Sequence, residues 1–348
     1  MTADTIGAAV KRAFGADNRD RLLREYLAGI APIAPDTAWK HVYRLLLWID
    51  STTGLAHCYE SDKSQPGRAW YERSLRFHAW VSASLGSAPE ALRSEIDWLF
   101  RHASRDLASG ASARQQERAK RQRARTPGMP EPGRDPELEN LILNALAPWL
   151  QEPPPPDAVR TLTERIHRHT RLENKRKNLV GEGFEDVLAV LIRLLPASAF
   201  RFVRARCPLH DIPGFYEPRD REKPRIVDLA LVRGPEDRRS LITAKWSIRA
   251  DREEQFVSDC ASYVHLERAG QSFDYVLITN EFDPARLVAA AERQREGNPL
   301  FTNVVHVSTD ALKAVYGDRP SRSFARALAH VRGGRVESLG DWLSRLHR

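Results

Sequence analysis

The chain contains few cysteines: Cys58, Cys207 and Cys260 are the only three among its 348 residues. Three cysteines cannot form the framework of paired bridges that small secreted domains use, so we expect a reducing, cytoplasmic setting. Cys207 and His210 have a spacing that zinc ligands use, but no second pair accompanies them. A buried structural cysteine is therefore a better interpretation of Cys207 than a zinc site.

The sequence also lacks long apolar runs. No stretch approaches the roughly 20 apolar residues of a membrane-spanning helix, and the polar first residues have no signal-peptide core. Neither a Walker loop nor a GxGxxG turn follows a predicted strand, which argues against a nucleotide-cofactor fold. We therefore expect a chain that stays out of the membrane and does not bind a nucleotide cofactor.

Positive charge is what the chain has in excess. Lysine and arginine number 54 against 46 acidic residues, which gives a formal net charge of +8. This excess favours a polyanionic partner such as nucleic acid. A GC-rich genome produces an arginine-rich composition as well, so charge alone does not decide the partner.

Composition divides the chain into three parts. Residues 1–108 are predicted to form a separate all-α N-terminal domain, because apolar residues recur there at helical spacing. Its amphipathic helices are predicted over 37–50, 70–85 and 88–107. Residues 109–157 form a basic Pro/Arg-rich linker with a short helix at 136–150.

Residues 158–348 alternate predicted strands with predicted helices. The strands are predicted over 200–204, 226–232, 241–246, 275–279 and 304–307. The helices are predicted over 156–171, 179–195, 251–268, 284–295, 310–315 and 339–346. This alternation indicates an α/β (α+β) domain with a mixed sheet flanked by helices on both faces.

Two charged residues occupy apolar strands of this domain. Asp228 lies within the apolar run 226–231, where a carboxylate is costly unless a metal or a hydrogen-bond donor satisfies it. Lys245 lies near the end of the next predicted strand. Neighbouring strands can bring the two side chains together. A buried Asp–Lys ion pair is the alternative explanation of these two residues.

Further acidic residues favour a catalytic site over an ion pair. If the helix after Lys245 begins beside it, Asp259 on that helix lies back near Asp228. Two carboxylates and a lysine suit Mg²⁺, which prefers oxygen ligands. Glu185 on the predicted apolar helix is a further candidate, and Glu182 replaces it if that helix is rotated.

The order Glu, Asp, Lys across a helix and two strands resembles the PD-(D/E)XK nuclease superfamily. KWSIRADR (245–252), with an acid 14 positions beyond the lysine, is similar to type II restriction endonucleases that read sites centred on CCGG. In that group the acid usually found two residues before the lysine has moved to the following helix. In this sequence Thr243 stands at the first position and Asp259 at the second. The resemblance covers residues 175–282.

The sequence departs from this pattern in three places, of which the first is that only 16 residues separate Asp228 from Lys245, fewer than in some members of the group. Val227 replaces the proline of the superfamily name, and Ala250 replaces the usual serine of the Arg-Ser-Asp-Arg motif. The resemblance implies that Asp228 and Asp259 bind Mg²⁺ and that Lys245 helps to activate the water that attacks a phosphodiester. Glu185 would support the site through the metal or its waters.

The resemblance also implies that Arg249, Asp251 and Arg252 read the central bases. Arginine is bidentate to guanine O6 and N7 and aspartate accepts from cytosine N4, so the set suits G·C pairs. One set reads only half of a palindrome, so we expect a homodimer, or a larger oligomer, on double-stranded DNA.

Two other interpretations stay open. Thr243 in place of the acid is compatible with a DNA-binding or repair module of the same fold, acting on other DNA structures or catalytically inactive. A purely structural interpretation needs Asp228, Lys245 and Asp259 to form only a buried ion network.

Overall fold

A six-stranded mixed β-sheet flanked by helices dominates the computed structural model of the protein. The structure describes residues 11–30, 32–50, 54–56, 66–67, 69–109, 135–195, 200–217, 223–234, 236–249, 253–317 and 321–346. No helix within these ranges is both long and apolar enough to cross a membrane.

Helices and strands are both numbered in chain order. The helices are α1 (Ala16–Leu27), α2 (Ala38–Leu46), α3 (Ala69–Leu85), α4 (Pro89–Glu95), α5 (Trp98–Ser109), α6 (Pro136–Leu146), α7 (Pro156–Leu194), α8 (Glu253–Leu266), α9 (Pro284–Glu292), α10 (Thr309–Tyr316), α11 (Arg322–Arg332) and α12 (Leu339–Leu346). The strands are β1 (Trp48–Asp50), β2 (Gly54–Ala56), β3 (Phe200–Pro208), β4 (Ile226–Arg233), β5 (Arg238–Lys245), β6 (Phe273–Thr279), β7 (Gln294–Arg295), β8 (Asn298–Pro299), β9 (Asn303–His306) and β10 (Val336–Ser338).

The main sheet has the strand order β10-β9-β6-β5-β4-β3. Neighbours from β10 to β5 run parallel, whereas β5, β4 and β3 pair antiparallel. Its central strands are nearly continuous apolar runs, as expected for a sheet with both faces covered. The prediction of a mixed sheet flanked by helices is confirmed, and each of the five predicted strands is present.

Two predicted helices have different bounds in the structure. Helix α7 is continuous over 39 residues, where two helices over 156–171 and 179–195 were predicted. The polar residues between them include strong helix formers and no proline, so nothing in the sequence breaks the helix there. The predicted helix over 88–107 is broken instead between α4 and α5, where Asp97 has a φ of 56°.

Contacts divide the described residues into two compact units. One lies within 1–22 and 99–179, and the other lies within 23–98 and 180–348. The separate N-terminal domain predicted over 1–108 is therefore not confirmed, because most of its described residues belong to the unit that contains the sheet. Of the predicted linker over 109–157, residues 110–134 lie outside the described ranges.

Aromatic side chains from α2 and α3 explain this division. The Tyr43 hydroxyl donates to Asn280 Oδ1 at 2.8 Å, and both residues are buried. The Phe77 ring lies 5.3 Å from the ring of Phe282, which follows β6. Large aromatic residues contribute much of the apolar area that a core buries. These helices therefore complete the core of the sheet unit.

We predict that Tyr43→Phe lowers the free energy of unfolding by about 1–3 kcal/mol, because it removes the donor to a buried acceptor. Denaturant unfolding followed by circular dichroism measures the change. Tyr216→Phe is the control, since Tyr216 is 52% exposed and its change should stay within about 0.5 kcal/mol. Equal losses in the two variants would contradict the role assigned to Tyr43.

Candidate active site

Asp228 joins the ends of β4 and β5 through its side chain. The antiparallel register of the two strands runs from the Arg233–Arg238 pair to the Leu229–Ile242 pair. Beyond that pair, Asp228 Oδ2 accepts hydrogen bonds from the backbone N–H of Ala244 at 2.9 Å and from Lys245 Nζ at 2.6 Å.

Thr243 contributes a third hydrogen bond to this group. Its hydroxyl Oγ1 donates to Asp228 Oδ2 at 3.2 Å. The residue at the position of the missing acid therefore orients Asp228. It adds no negative charge to the site.

The Asp228–Lys245 ion pair is only partly buried. The side chain of Asp228 is 21% exposed and that of Lys245 is 33% exposed. Within the described ranges, no group donates a hydrogen bond to Asp228 Oδ1. The contacts of the pair are those of the predicted ion pair, and both side chains remain partly exposed to solvent.

Glu185 on α7 belongs to the same group of charges. The pKa of Glu185 is raised to about 7: burial is the largest cause and the negative charge of Asp228 adds to it, while Arg206 and Lys245 offset part of the increase. These effects place Glu185 within electrostatic range of the ion pair. Glu182, the alternative, contributes its backbone carbonyl, which accepts from Arg206 Nη1 at 3.2 Å.

Asp259 on α8 faces the same charges. Burial raises the pKa of Asp259 above its ordinary value. Arg225 and Lys245 act in the opposite direction, and Asp228 adds to the increase. The structure therefore brings Asp259 within electrostatic range of both Asp228 and Lys245, although they lie on different elements.

Arg206 is a site residue that sequence reasoning missed. The pairs Ala205–Leu229 and Cys207–Val227 place it opposite Asp228 in the sheet. Its φ of 50° lies in the left-handed region, which a residue other than glycine adopts only at a cost of about 1 kcal/mol or more.

The Arg206 guanidinium binds two consecutive acidic residues of α7. Its Nη1 donates to Glu185 Oε2 at 3.1 Å, and its Nη2 pairs with Asp186. The sequence pattern that could have identified Arg206 is a cation that alternates with small residues in β3. It was missed because the predicted strand ended at residue 204. Arg225 is the cation that lowers the pKa of Asp259 most, and no comparable sequence pattern surrounds it.

The predicted base-reading residues are described only in part. Ile248 is buried and lies three residues beyond the end of β5, and Arg249, the next residue, is exposed. Asp251 and Arg252 lie outside the described residues, as does Ala250. The structure therefore describes where the predicted base-reading residues begin, and the reading of bases by these residues stays a prediction.

Magnesium fits the donor set, although no ready-made cage is present. In the part of the chain that the structure describes, no group of three or more His, Cys, Asp or Glu side chains could hold a metal ion. Mg²⁺ keeps several waters and takes one or two carboxylates together with substrate phosphates. Asp228 and Asp259 supply two such carboxylates. Cys207 is buried, as expected of a structural cysteine.

A scan against protein-family models and a search of the curated proteins find no match for this chain.

We predict that Arg206→Met raises the pKa of Glu185, because it removes a cation that lowers that pKa. Titration of the ¹³C-labelled glutamate carboxyl signals measures the change, and Glu185→Gln identifies the signal. Arg204→Met is the matched control: Arg204 lies on the same strand but binds Asp211, at 2.6 Å. A Glu185 pKa that is unchanged or lower in Arg206→Met would show that Arg206 does not act on it.

Proposed function

We propose that the protein is a Mg²⁺-dependent type II restriction endonuclease of the PD-(D/E)XK superfamily. It would cut double-stranded DNA at a palindrome containing CCGG. The observation that carries this proposal is the Asp228–Lys245 pair, with Nζ and Oδ2 2.6 Å apart on neighbouring strands. One oxygen of that carboxylate accepts no hydrogen bond from the described residues, and Glu185 and Asp259 lie within electrostatic range of the pair.

The arrangement of elements supports the superfamily. A helix carries Glu185, and two antiparallel strands of one mixed sheet carry Asp228 and Lys245. The relocated acid, Asp259, is on the helix that follows the lysine strand. Clusters of charges with perturbed pKa values are more frequent at functional sites than elsewhere.

Each residue of the cluster has a separate task in this proposal. Asp228 and Asp259 would hold Mg²⁺, which supplies positive charge for the scissile phosphate and an acidified water. Lys245 Nζ donates to the attacking water or the phosphate from a position fixed by Asp228. Glu185 can hold a proton near neutral pH because its pKa is about 7.

DNA recognition would begin directly after this site. Arg249, Asp251 and Arg252 follow Lys245 within seven residues, and their side chains suit G·C pairs. Because the bases would fix the register of the DNA, the scissile phosphate would lie beside Lys245. A homodimer, or a larger oligomer, would place two such sites on one palindrome.

We predict that Lys245→Ala keeps specific binding to a CCGG duplex but slows its cleavage in Mg²⁺ by about 100-fold or more. Binding is measured by gel shift in Ca²⁺, and cleavage is measured under single-turnover conditions. Lys313→Ala is the control, since Lys313 forms an exposed ion pair with Asp310 on α10. Full cleavage by Lys245→Ala would remove the assignment of this cluster as the catalytic site.

A further inference from the structure

Glu281 anchors the segment that joins β5 to the readout residues. Its Oε2 accepts a hydrogen bond from the backbone N–H of Ile248 at 2.6 Å, and its Oε1 accepts from that of Asp283 at 2.7 Å. The residue is 1% exposed. One oxygen of a buried carboxylate is thus committed to the short segment between Lys245 and Arg249.

The neighbouring residue holds the same segment. Lys245 pairs with Thr279 in the parallel register of β5 and β6, and the backbone N–H of Asn280 then donates to the Trp246 carbonyl at 3.0 Å. The Trp246 ring packs edge-on against Phe184 of α7, with 5.4 Å between centroids. The segment therefore leaves β5 along a path held by hydrogen bonds at two positions, Trp246 and Ile248.

Burial of a carboxylate at this position has a high desolvation cost. Burial is the main cause that raises the pKa of Glu281 to about 7, although the two backbone N–H donors and Arg286, whose Nη1 lies 3.8 Å from Oε2, act to lower it. Two N–H groups converge on the side chain, and only a carboxylate offers an acceptor oxygen to each of them. A glutamine would present its NH₂ group to one of these donors.

We propose that Glu281 is a positioning residue for recognition. It fixes Ile248, and through it the spacing between Lys245 and Arg249, so that bases are read with the scissile phosphate beside the lysine. Displacement of reacting groups by about 1 Å can cost about 100-fold in rate, and sites are held in place by the residues behind them. This inference rests on the proposed endonuclease function.

The test compares Glu281→Gln with Glu267→Gln in the full chain. Glu267 is the matched control, because its carboxylate also accepts from two backbone N–H groups, those of Ala269 and Gly270. Glu267 forms an ion pair with Arg239, which lies at the start of β5. Lys245 lies at the opposite end of that strand. The measured quantity is a discrimination ratio. It is kcat/KM for a duplex that contains CCGG divided by kcat/KM for a duplex in which one base pair of the CCGG site is replaced.

Glu281→Gln should lower the discrimination ratio by about 10- to 100-fold, and Glu267→Gln should leave it unchanged while lowering the melting temperature. An unchanged ratio in Glu281→Gln, or equal decreases in both variants, overturns the inference and leaves the endonuclease assignment standing. Absence of Mg²⁺-dependent cleavage by the wild-type chain overturns the assignment, and the inference with it.

The wild-type chain provides a second measurement that does not depend on a variant folding. Among the residues that the structure describes, the titratable or charged groups that face Glu281 are Asp283 and Arg286 at the start of α9, His306 on β9 and Tyr316 on α10. Burial lowers the pKa of His306 to about 4 and raises that of Tyr316, so neither changes charge between about pH 6 and pH 8.

Protonation turns one oxygen of Glu281 into a donor and weakens its hold on a backbone N–H. The wild-type discrimination ratio should therefore fall as the pH is lowered through about 7, the pKa of Glu281. Titration of Glu185 cancels in this ratio, because both duplexes use the same catalytic groups. A ratio that is constant between about pH 6 and pH 8 contradicts the inference.

Discussion

The geometry of the candidate site depends on one carboxylate oxygen. Asp228 Oδ2 accepts hydrogen bonds from Thr243, Ala244 and Lys245, three consecutive residues of β5. A side chain thus ties the two strands together where their paired register ends, and this tie fixes the lysine. The same arrangement leaves the second oxygen of Asp228 open among the described residues. The candidate site thereby combines a strand end held by hydrogen bonds with a carboxylate that is partly exposed to solvent.

Local sequence pattern was sufficient to predict the part of the site that lies on strands. Asp228 and Lys245 each interrupt a run of apolar residues, and such a run in an α/β chain predicts a buried strand. Neighbouring strands then bring the two charges together, as the structure shows. Asp259 was predicted from helix geometry, because its distance along the helix follows from the rise per residue. These inferences use only short-range periodicity.

The rest depended on contacts between residues distant in the sequence. Arg206 reaches Glu185 from a strand whose length the local pattern underestimated, and arginine is not among the residue types that predict a left-handed backbone. Glu281 lies in the loop between β6 and α9, and only the folded chain brings it to Ile248. The division into two units could not be predicted from local pattern. Tyr43 and Phe77 lie on helices with ordinary amphipathic spacing, and that spacing does not identify the element against which the apolar face packs.

Cleavage of DNA is the central claim, and digestion of a plasmid of known sequence by the wild-type chain in Mg²⁺ tests it most directly. Sequencing of the fragment ends gives both the site and the position of the cut. The proposed function predicts discrete fragments whose ends all fall at one palindrome that contains CCGG. Absence of cleavage that depends on Mg²⁺, or fragment ends with no common sequence, would contradict it.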